Sequence, residues 1–383
     1  MISRLIFQKG SYTLMKIVCK KSNLLSGVQI VSKAVPSKTT MSILECILVE
    51  AENNEIKLSA NDMELGIETK IEGEILEKGV IALDAKIFLE IVRKLPDSDI
   101  KIETDSNLKT TITCEKAKFN IIGKSGEDFS YLPAIEREDS VIISQFTLKE
   151  IIRQTIFSIA DNDNNKLMTG ELFEISDDTL KVVSLDGHRI SIRKIKLKNT
   201  YSSKKIVVPG KTLNEISKIL SGDTDKDVSI FFSDNHILFE FDNTVVVSRL
   251  IEGEYFRIDQ MLSSDYETKV KINKKEFLNC IDRATLLVKE GDKKPVIINI
   301  TDASMELRMN TIIGSMDEEI DIDKNGKDLM IGFNPKFLID ALRVIDDEEV
   351  DLYMVNPKAP CFIRDAEENY IYLILPVNFT TVN

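Results

Sequence analysis

Three stretches of the sequence decide the fold: residues 86–95 read KIFLEIVRKL, residues 211–220 read KTLNEISKIL and residues 336–345 read KFLIDALRVI. They recur at a constant interval of 125 residues. In each stretch the apolar side chains are spaced three, four and seven positions apart, so they share one face of a helix and leave the charged side chains on the other. An internal repeat of this length predicts three copies of one structural unit.

The apolar positions of these helices match from copy to copy. The matching triplets are Phe88, Leu213 and Leu338; Ile91, Ile216 and Ala341; and Leu95, Leu220 and Ile345. Asp84 is a predicted N-cap, and Asn334 followed by Pro335 predicts a second helix start. Further amphipathic patterns begin near Ser22, Leu148 and Lys274, at an interval of 126 residues. Each copy is therefore predicted to contain two helices.

Between the helices, apolar and polar residues alternate and β-branched side chains are frequent, which is typical of strands. The predicted strands cover residues 56–59, 100–103, 110–114, 180–184, 228–232, 236–241, 296–300 and 370–375. Because several strands separate successive helices, the sequence predicts an antiparallel α+β fold and not a doubly wound parallel sheet.

Polar linkers near residues 136–139 and 263–265 divide the repeats. We predict a leader outside the fold and three similar domains, each with two helices packed on antiparallel sheets. The predicted bounds are 1–14 for the leader, then 15–138, 139–264 and 265–383 for the domains. Each predicted domain has a core of its own, so three of them in a row favour an arc over a linear solenoid. An arc that dimerises head to tail closes into a ring.

The composition restricts the possible partners. The chain has 383 residues and a formal net charge of −13, which argues against nucleic acid unless the charges are segregated. Five cysteines without a CxxC spacing indicate neither a disulfide framework nor a zinc site, and favour a reducing cytoplasm. No stretch approaches the ~20 apolar residues of a membrane helix, so a membrane partner is not expected.

The charges are in fact segregated. The predicted helical windows are 22–35, 85–95, 148–160, 211–220, 274–289 and 335–345, and together they carry 14 basic and 6 acidic residues. Such a chain can present a basic surface to phosphate while the remainder repels it. Lys and Arg are also good helix formers, so a solvated helix face explains part of this pattern. Lys86, Lys211 and Lys336 recur at one helical position. This recurrence favours a basic surface that contacts the phosphates of nucleic acid over a merely solvated helix face.

The sequence has few residues of the kind that catalysis needs. His188 and His236 are the only histidines, and no metal-ligand spacing, phosphate loop or nucleophile motif accompanies them. We interpret residues 186–189 as a turn between strands. Residues 317–323 could be imagined as a two-metal nuclease site, but their alternation is that of a half-buried strand with an acidic outer face. No cofactor or metal is predicted.

Four segments carry a resemblance to a known family: 184–190 (SLDGHRI), 207–209 (VVP), 247–253 (VSRLIEG) and 373–377 (LILPV). With the threefold repeat, they make the sequence similar over residues 15–379 to the beta subunit of bacterial DNA polymerase III, the sliding clamp. The resemblance implies a head-to-tail homodimeric ring with helices lining a channel for double-stranded DNA, bound without sequence preference. It also implies a non-catalytic processivity factor of the cytoplasm and nucleoid.

The resemblance further implies partners that carry a clamp-binding peptide, namely the polymerase III catalytic subunit, the clamp loader and other clients. Their peptide would bind in an apolar pocket between the second and third domains. Carried over by position, the pocket residues are Met168, Leu185, Gly187, His188, Arg189, Ile190, Phe256, Gln260, Met261, Ile374, Leu375, Pro376 and Val377. Phe256 departs from the family, which usually has a proline there.

Two further sets of residues are assigned. The predicted DNA-contacting residues are Lys38, Lys86, Lys149, Arg153, Lys166, Lys211, Lys218, Lys274, Lys336 and Arg343. The resemblance further implies a dimer interface of Leu286 and Leu287 on the third domain's helix, with Phe119 and Ile121 on a strand of the first domain. The alternatives are a metal-dependent nuclease or other enzyme of DNA metabolism, and a solenoid scaffold. DNA hydrolysis would favour the first, and an elongated shape the second.

Overall fold

The computed structural model describes residues 14–129, 132–133, 135–138, 140–161, 164–262, 265–288 and 294–379. These residues form six α-helices, each within or overlapping a predicted helical window. They are α1 (Lys21–Val31), α2 (Ala85–Lys94), α3 (Gln145–Thr155), α4 (Gly210–Ile219), α5 (Lys274–Thr285) and α6 (Pro335–Val344). None of them is long and apolar enough to cross a membrane.

The helix ends follow the capping chemistry of the sequence. Asp84 accepts a hydrogen bond from the Ile87 N–H (2.8 Å), and Asn334 accepts one from the Lys336 N–H (3.1 Å), which confirms both predicted helix starts. The predicted windows 22–35 and 148–160 extend too far, because 3-10 turns at Ser32–Ala34 and Ile156–Ser158 follow the α-helices. A tighter turn keeps the apolar spacing for a few residues, so the pattern alone does not mark the change.

The strands are more numerous than predicted. Up to residue 144 they are β1 (Met15–Lys20), β2 (Cys46–Glu52), β3 (Glu55–Asn61), β4 (Leu65–Ile71), β5 (Glu74–Glu77), β6 (Gly79–Asp84), β7 (Asp99–Thr104), β8 (Lys109–Cys114), β9 (Ala117–Ile122) and β10 (Val141–Ser144). They continue with β11 (Gly170–Leu185), β12 (Arg189–Pro209), β13 (Asp227–Phe232), β14 (His236–Phe241) and β15 (Thr244–Arg249).

The last strands are β16 (Thr268–Asn273), β17 (Val296–Ile300), β18 (Ser304–Thr311), β19 (Gly314–Asp321), β20 (Asp323–Gly326), β21 (Leu329–Phe333), β22 (Glu349–Met354), β23 (Cys361–Arg364) and β24 (Tyr370–Ile374). Every strand predicted from the sequence lies within or overlaps one of the observed strands. All strand pairs between the described residues are antiparallel, so the predicted antiparallel α+β fold is confirmed.

The chain divides into two compact units, and the first comprises residues 1–145 and 223–249. It contains a five-stranded sheet, in the order β5-β1-β7-β8-β9, and an eight-stranded sheet, in the order β10-β13-β14-β15-β4-β3-β2-β6. Phe88 on α2 and Leu24 on α1 are fully buried, so the apolar stripes of both helices face the core as predicted. In the larger sheet, β15 pairs with β4, which joins strands of the predicted second and first domains.

The second unit comprises residues 146–222 and 250–383. Its sheets have the orders β11-β12-β24-β23-β22-β16-β20 and β19-β18-β17-β21. Here β12 pairs with β24, which joins strands of the predicted second and third domains. Leu213 and Leu338 are buried, like their counterpart in the first unit. The predicted leader lies outside the described residues apart from Leu14.

Candidate functional site

The turn between β11 and β12 lies within the predicted pocket. Asp186 Oδ1 accepts hydrogen bonds from the N–H groups of His188 (2.9 Å) and Arg189 (3.1 Å). Gly187 has a left-handed backbone (φ +83°), which glycine adopts without steric cost. The Leu375 N–H donates to the His188 carbonyl (2.9 Å) and holds the C-terminal segment beside the turn. The interpretation of this motif as a turn between two strands is confirmed.

Arg189 does not present its charge to the pocket surface. Its side chain is 6% exposed, and its guanidinium donates to Asp186 (3.0 Å), to Asp340 (2.7 Å) and to the Phe157 carbonyl. The guanidinium carbon also lies 4.5 Å from the centre of the Phe337 ring. Because these groups engage the cation, Arg189 ties the turn to α6 and positions its neighbours.

Some of the predicted pocket residues belong to a buried apolar cluster. Leu185 and Ile190, which flank the turn, belong to it. The other buried members are Leu172, Val183, Ile192, Val207, Tyr255, Ile258, Phe362, Ile371 and Leu373. Ile374 is also buried, in the main core of the second unit. These three predicted pocket residues therefore support the surface and do not form it.

The remaining predicted pocket residues are side chains on loops and strand ends. Met168 and Phe256 are partly buried against the apolar cluster. Met261, Leu375 and Val377 are 56%, 37% and 37% exposed. Gly187, His188 and Gln260 are exposed, and Pro376 is half-buried. Exposed apolar side chains of this kind are suited to hold the hydrophobic anchors of a peptide.

Sequence reasoning missed the part of the loop at residues 250–262 that supports the pocket. Tyr255 is buried, its ring packs edge-on against Phe256 (5.6 Å between centroids), and its hydroxyl donates to the Val183 carbonyl (3.4 Å). Ile258 is buried at the start of the 3-10 turn that carries Met261. A loop has no periodic pattern to mark its buried positions, so no signal in the sequence pointed to Tyr255 or Ile258.

The predicted DNA-contacting cations differ in what surrounds them. Lys38, Lys86, Lys166, Lys211 and Lys336 have exposed side chains. Three others pair with carboxylates: Arg153 with Glu150 and Asp346, Lys218 with Glu215, and Arg343 with Asp282. A paired cation attracts phosphate less strongly because its charge is already partly neutralised.

The side chains of Lys149 and Lys274 are half-buried and hydrogen-bonded to backbone carbonyls, and their contact with DNA stays a prediction. Lys149 Nζ donates to the carbonyl of the residue that follows α4 (3.0 Å), and Lys274 Nζ donates to the carbonyl that follows α6 (2.6 Å). Lys21 makes the equivalent contact with the residue after α2. Unpaired carbonyls and the helix dipole favour a cation at a helix C-terminus, so these lysines join the two helices of each repeat.

Of the predicted dimer residues, Phe119 and Leu286 are exposed, and Ile121 and Leu287 are half-buried. Phe119 is 41% exposed and lies with Ile121 on β9, an edge strand of its sheet. Leu286 is 78% exposed, but it and Leu287 lie beyond the last residue of α5, which corrects their assignment to the helix itself. The helix ends at residue 285, and Leu286 is its C-cap. An edge strand with exposed apolar residues can pair with another strand.

The described residues contain no group of three or more His, Cys, Asp or Glu side chains that could hold a metal ion. His188 is exposed in its turn, and His236 is half-buried at the start of β14. In the acidic strand β19, Ile320 is buried while Glu319 and Asp321 are exposed. Residues 317–321 therefore have the predicted half-buried pattern, but β19 ends at Asp321 and Asp323 begins β20 in another sheet, which corrects the prediction of one strand over residues 317–323.

Comparisons with known proteins agree over three successive segments between residues 15 and 378. Models of the N-terminal, central and C-terminal domains of the DNA polymerase III beta subunit match residues 15–133, 142–256 and 259–378. The beta sliding clamp of Staphylococcus epidermidis is 33% identical over 375 residues, which cover 95% of this chain and 99% of that protein.

Two crystal structures are similar to the whole fold. A DNA polymerase III beta subunit from Eubacterium rectale is 75% identical, with a TM-score of 0.93, and the match covers 96% of this chain and 100% of that one. The DNA polymerase sliding clamp from Bacillus subtilis is 34% identical, with a TM-score of 0.92 and coverage of 96% and 100%.

Proposed function

Because the chain belongs to the family of DNA polymerase III beta subunits, the beta sliding clamps, we propose that it encircles duplex DNA and tethers a replicative polymerase to its template. The observation that carries this proposal is the threefold clamp-domain repeat, which three successive family models match. The protein itself catalyses no reaction in this role. It acts in the cytoplasm at the nucleoid, where the replicating chromosome lies.

The repeat also supports domain bounds at 15–138, 139–264 and 265–383. At each junction within the chain, the last strand of one domain pairs with a strand of the preceding domain: β15 with β4, and β24 with β12. The last strand of the first domain, β9, lies at the edge of its sheet, and so does β19 of the third domain. Two copies joined head to tail through these edges would close a ring.

The pocket above the apolar cluster would bind the clamp-binding peptides of clients, including the polymerase III catalytic subunit and the clamp loader. Met168 and Met261 are suited to this role, because a flexible thioether side chain adapts to several partners. DNA would be bound through exposed lysines on the helices, without reading the sequence, since phosphate contacts carry no base information.

Retention on closed circular DNA tests the central proposal. A closed ring can leave a linear duplex at its ends but cannot leave a circle, so the protein loaded on a circle should survive a salt wash that removes it from the same DNA after linearisation. The measurement is the fraction of labelled protein that co-elutes with each DNA in gel filtration. Equal loss from both DNAs as salt rises would show ordinary surface binding.

Truncation of Met261 to Ala should weaken the binding of a clamp-binding peptide by about tenfold, because a side chain that is 56% exposed beside the apolar cluster would lose its contact with the peptide anchor. Fluorescence anisotropy of a labelled peptide measures the affinity. Met63→Ala, at an exposed methionine in the other compact unit, serves as the control. Unchanged peptide affinity in Met261→Ala would contradict this pocket assignment.

Charge reversal at Lys86 and Lys336 together should weaken DNA binding by about tenfold at low salt, because both side chains are exposed and no carboxylate of the described residues is within ion-pair distance of either. The matched control reverses Lys218 and Arg343, which already pair with Glu215 and Asp282. Electrophoretic mobility shifts compare the two double variants. If the control variant lost more DNA affinity than the Lys86 and Lys336 variant, the paired cations, and not the exposed lysines, would be the main DNA contacts.

A further inference from the structure

We propose that the junction between β4 and β15 is a second groove of the peptide-pocket type, which the chain closes itself by placing Leu132 over Gly66. The inference rests on the proposed function, because it extends the peptide pocket of that proposal to a second place. The ligand of the open groove would be a peptide with apolar anchors. In the closed groove, the linker between the first two domains is the occupant.

The turns that lead into β4 and β12 have the same backbone geometry. Asp62 Oδ1 accepts hydrogen bonds from the N–H groups two and three residues after it (3.0 and 2.7 Å), as Asp186 Oδ1 does in the peptide pocket (2.9 and 3.1 Å). In both turns the residue after the aspartate has a left-handed backbone, with φ of +77° and +83°. The last residue of β15 and the residue after β24 each donate their N–H to the carbonyl two positions after that aspartate (2.8 and 2.9 Å). Gly66 is therefore equivalent to Ile190.

A row of equivalent residues crosses the sheet at each junction, from one paired strand to the next. At the first junction the row consists of Phe231, Leu238, Val247 and Gly66, and at the peptide pocket it consists of Tyr353, Phe362, Leu373 and Ile190. The apolar side chains of the first row form a small buried cluster, and those of the second belong to the cluster that contains predicted pocket residues. Both junctions thus have the same apolar sheet face, except that glycine replaces isoleucine at one position.

The linker between the first two domains fills the place that this glycine leaves. A Cβ atom built on Gly66 would collide with the Leu132 side chain, so Leu132 lies directly on the backbone of β4. Ile135, from the same linker, packs against the small buried cluster. In the peptide pocket, the side chain of Ile190 occupies the equivalent place, so no linker residue can lie as close to the strand. Glycine at position 66 therefore allows the chain to close the first groove.

An ion pair holds the far end of this linker on the same sheet. Arg137 Nη1 lies 3.4 Å from Glu240 Oε1 on β14. Both side chains are partly exposed, so the pair contributes less than the apolar contacts of Leu132 and Ile135. The corresponding segment at the peptide pocket forms a 3-10 turn, which leaves Met261 56% exposed. One groove is thus covered by its linker, and the other keeps an exposed apolar side chain for a ligand.

An occupant from the same chain is a strong competitor for a peptide. A short connection gives it an effective concentration of about millimolar. The apparent affinity of the groove for a peptide is reduced to the fraction of molecules in which the groove is open. Each subunit would therefore have one open peptide site, although its fold provides two grooves. Removal of the occupant should make the second groove measurable.

Thiol labelling tests whether the linker closes the groove. The thiol of Leu132→Cys should react with a maleimide at least tenfold more slowly than that of Pro133→Cys, because position 132 is half-buried on the sheet and position 133 is exposed. The five native cysteines are all buried, so they should contribute little labelling. Equal labelling rates for the two folded variants would show that the linker does not cover the groove, and the proposal would be wrong.

Peptide stoichiometry tests whether the covered groove is a binding site. Titration calorimetry with a clamp-binding peptide should give one site per subunit for the wild type and two for Leu132→Ala. Leu76→Ala, at a leucine that is 47% exposed in the same compact unit, is the matched control and should keep one site. A single site in Leu132→Ala, with the molar mass of the wild type by light scattering, would overturn the second groove while the peptide pocket stands. Absence of peptide binding by the wild type would instead overturn the pocket of the proposed function.

Discussion

Replacing Glu171 with isoleucine is expected to raise the free energy of unfolding by about 2–4 kcal/mol at pH 8, because it removes a buried carboxyl group that is not satisfied. The Glu171 side chain is fully buried, and neither carboxyl oxygen has a hydrogen-bond partner among the described residues. Burial raises its pKa to about 8. The nearby Thr155 hydroxyl opposes this shift only in part, since it donates to the Ile151 carbonyl (2.7 Å).

The internal repeat shows which residue this position would otherwise hold. Glu171 pairs with the residue two positions before α4. In the other two repeats, Ile47 and Val296 pair with the residues two positions before α2 and α6, and both are fully buried. An apolar side chain therefore fits this place between sheet and helices, so Glu171→Ile should be accommodated without a cavity.

The same group gives stability a defined pH dependence. The pKa of Glu171 is about 8 in the folded protein and about 4.5 in the unfolded chain, so between these values only the unfolded state loses the proton. The contribution of Glu171 to the free energy of unfolding is therefore most favourable below about pH 4.5. It falls as the pH rises through 8, by at most ~1.4 kcal/mol per pH unit.

Urea unfolding between pH 5.5 and 8 measures this effect, with wild type compared against Glu171→Ile and Glu171→Gln. Both variants lack the titrating carboxyl, so wild-type stability should fall relative to either of them as the pH rises. Glu171→Gln should gain less stability than Glu171→Ile, since the amide remains polar in an apolar site. A constant difference between wild type and Glu171→Gln over this range would contradict the assignment.

This carboxyl group also shows why part of the fold was not predictable. The strand β11 begins at Gly170, whereas the alternation pattern predicted only residues 180–184. Glu171 lies on the buried face of the strand and interrupts the expected sequence of apolar residues. A pattern that assigns charged residues to the solvent side therefore stops at such a position. The helices were predicted more completely because their apolar stripes contain no buried charge.

The pocket and the DNA surface were each predictable only in part, because partners far away in the chain engage some of their side chains. Family resemblance located the turn that contains Arg189, but not the side chain's contact with Asp340, which is 151 residues away in the chain. Likewise, Lys149 and Lys274 look like the other helical lysines in the sequence. Their partners are backbone carbonyls 71 residues away, which any residue type could supply. Long-range hydrogen bonds to the backbone leave no trace in the sequence.

Substitution of Leu286 by Glu should convert the dimer to monomers at micromolar concentration, with an increase of at least about 100-fold in the dissociation constant. Leu286 is 78% exposed, so the substitution costs the folded subunit little, but a carboxylate at this place would be desolvated in the proposed interface. Light scattering gives the molar mass. Met63→Glu, at an apolar residue that is 61% exposed and away from the proposed interface, should remain dimeric.

The same variant connects dimer closure with retention on DNA. A monomeric arc cannot enclose a circle, so Leu286→Glu should be washed from circular DNA as readily as wild type is washed from linear DNA, while its affinity for a clamp-binding peptide stays within about twofold of wild type. The peptide measurement separates loss of the ring from loss of the fold. If Leu286→Glu is monomeric in solution and yet is retained on circular DNA through a salt wash, then retention does not depend on a closed dimer. The ring mechanism would then be wrong for this protein.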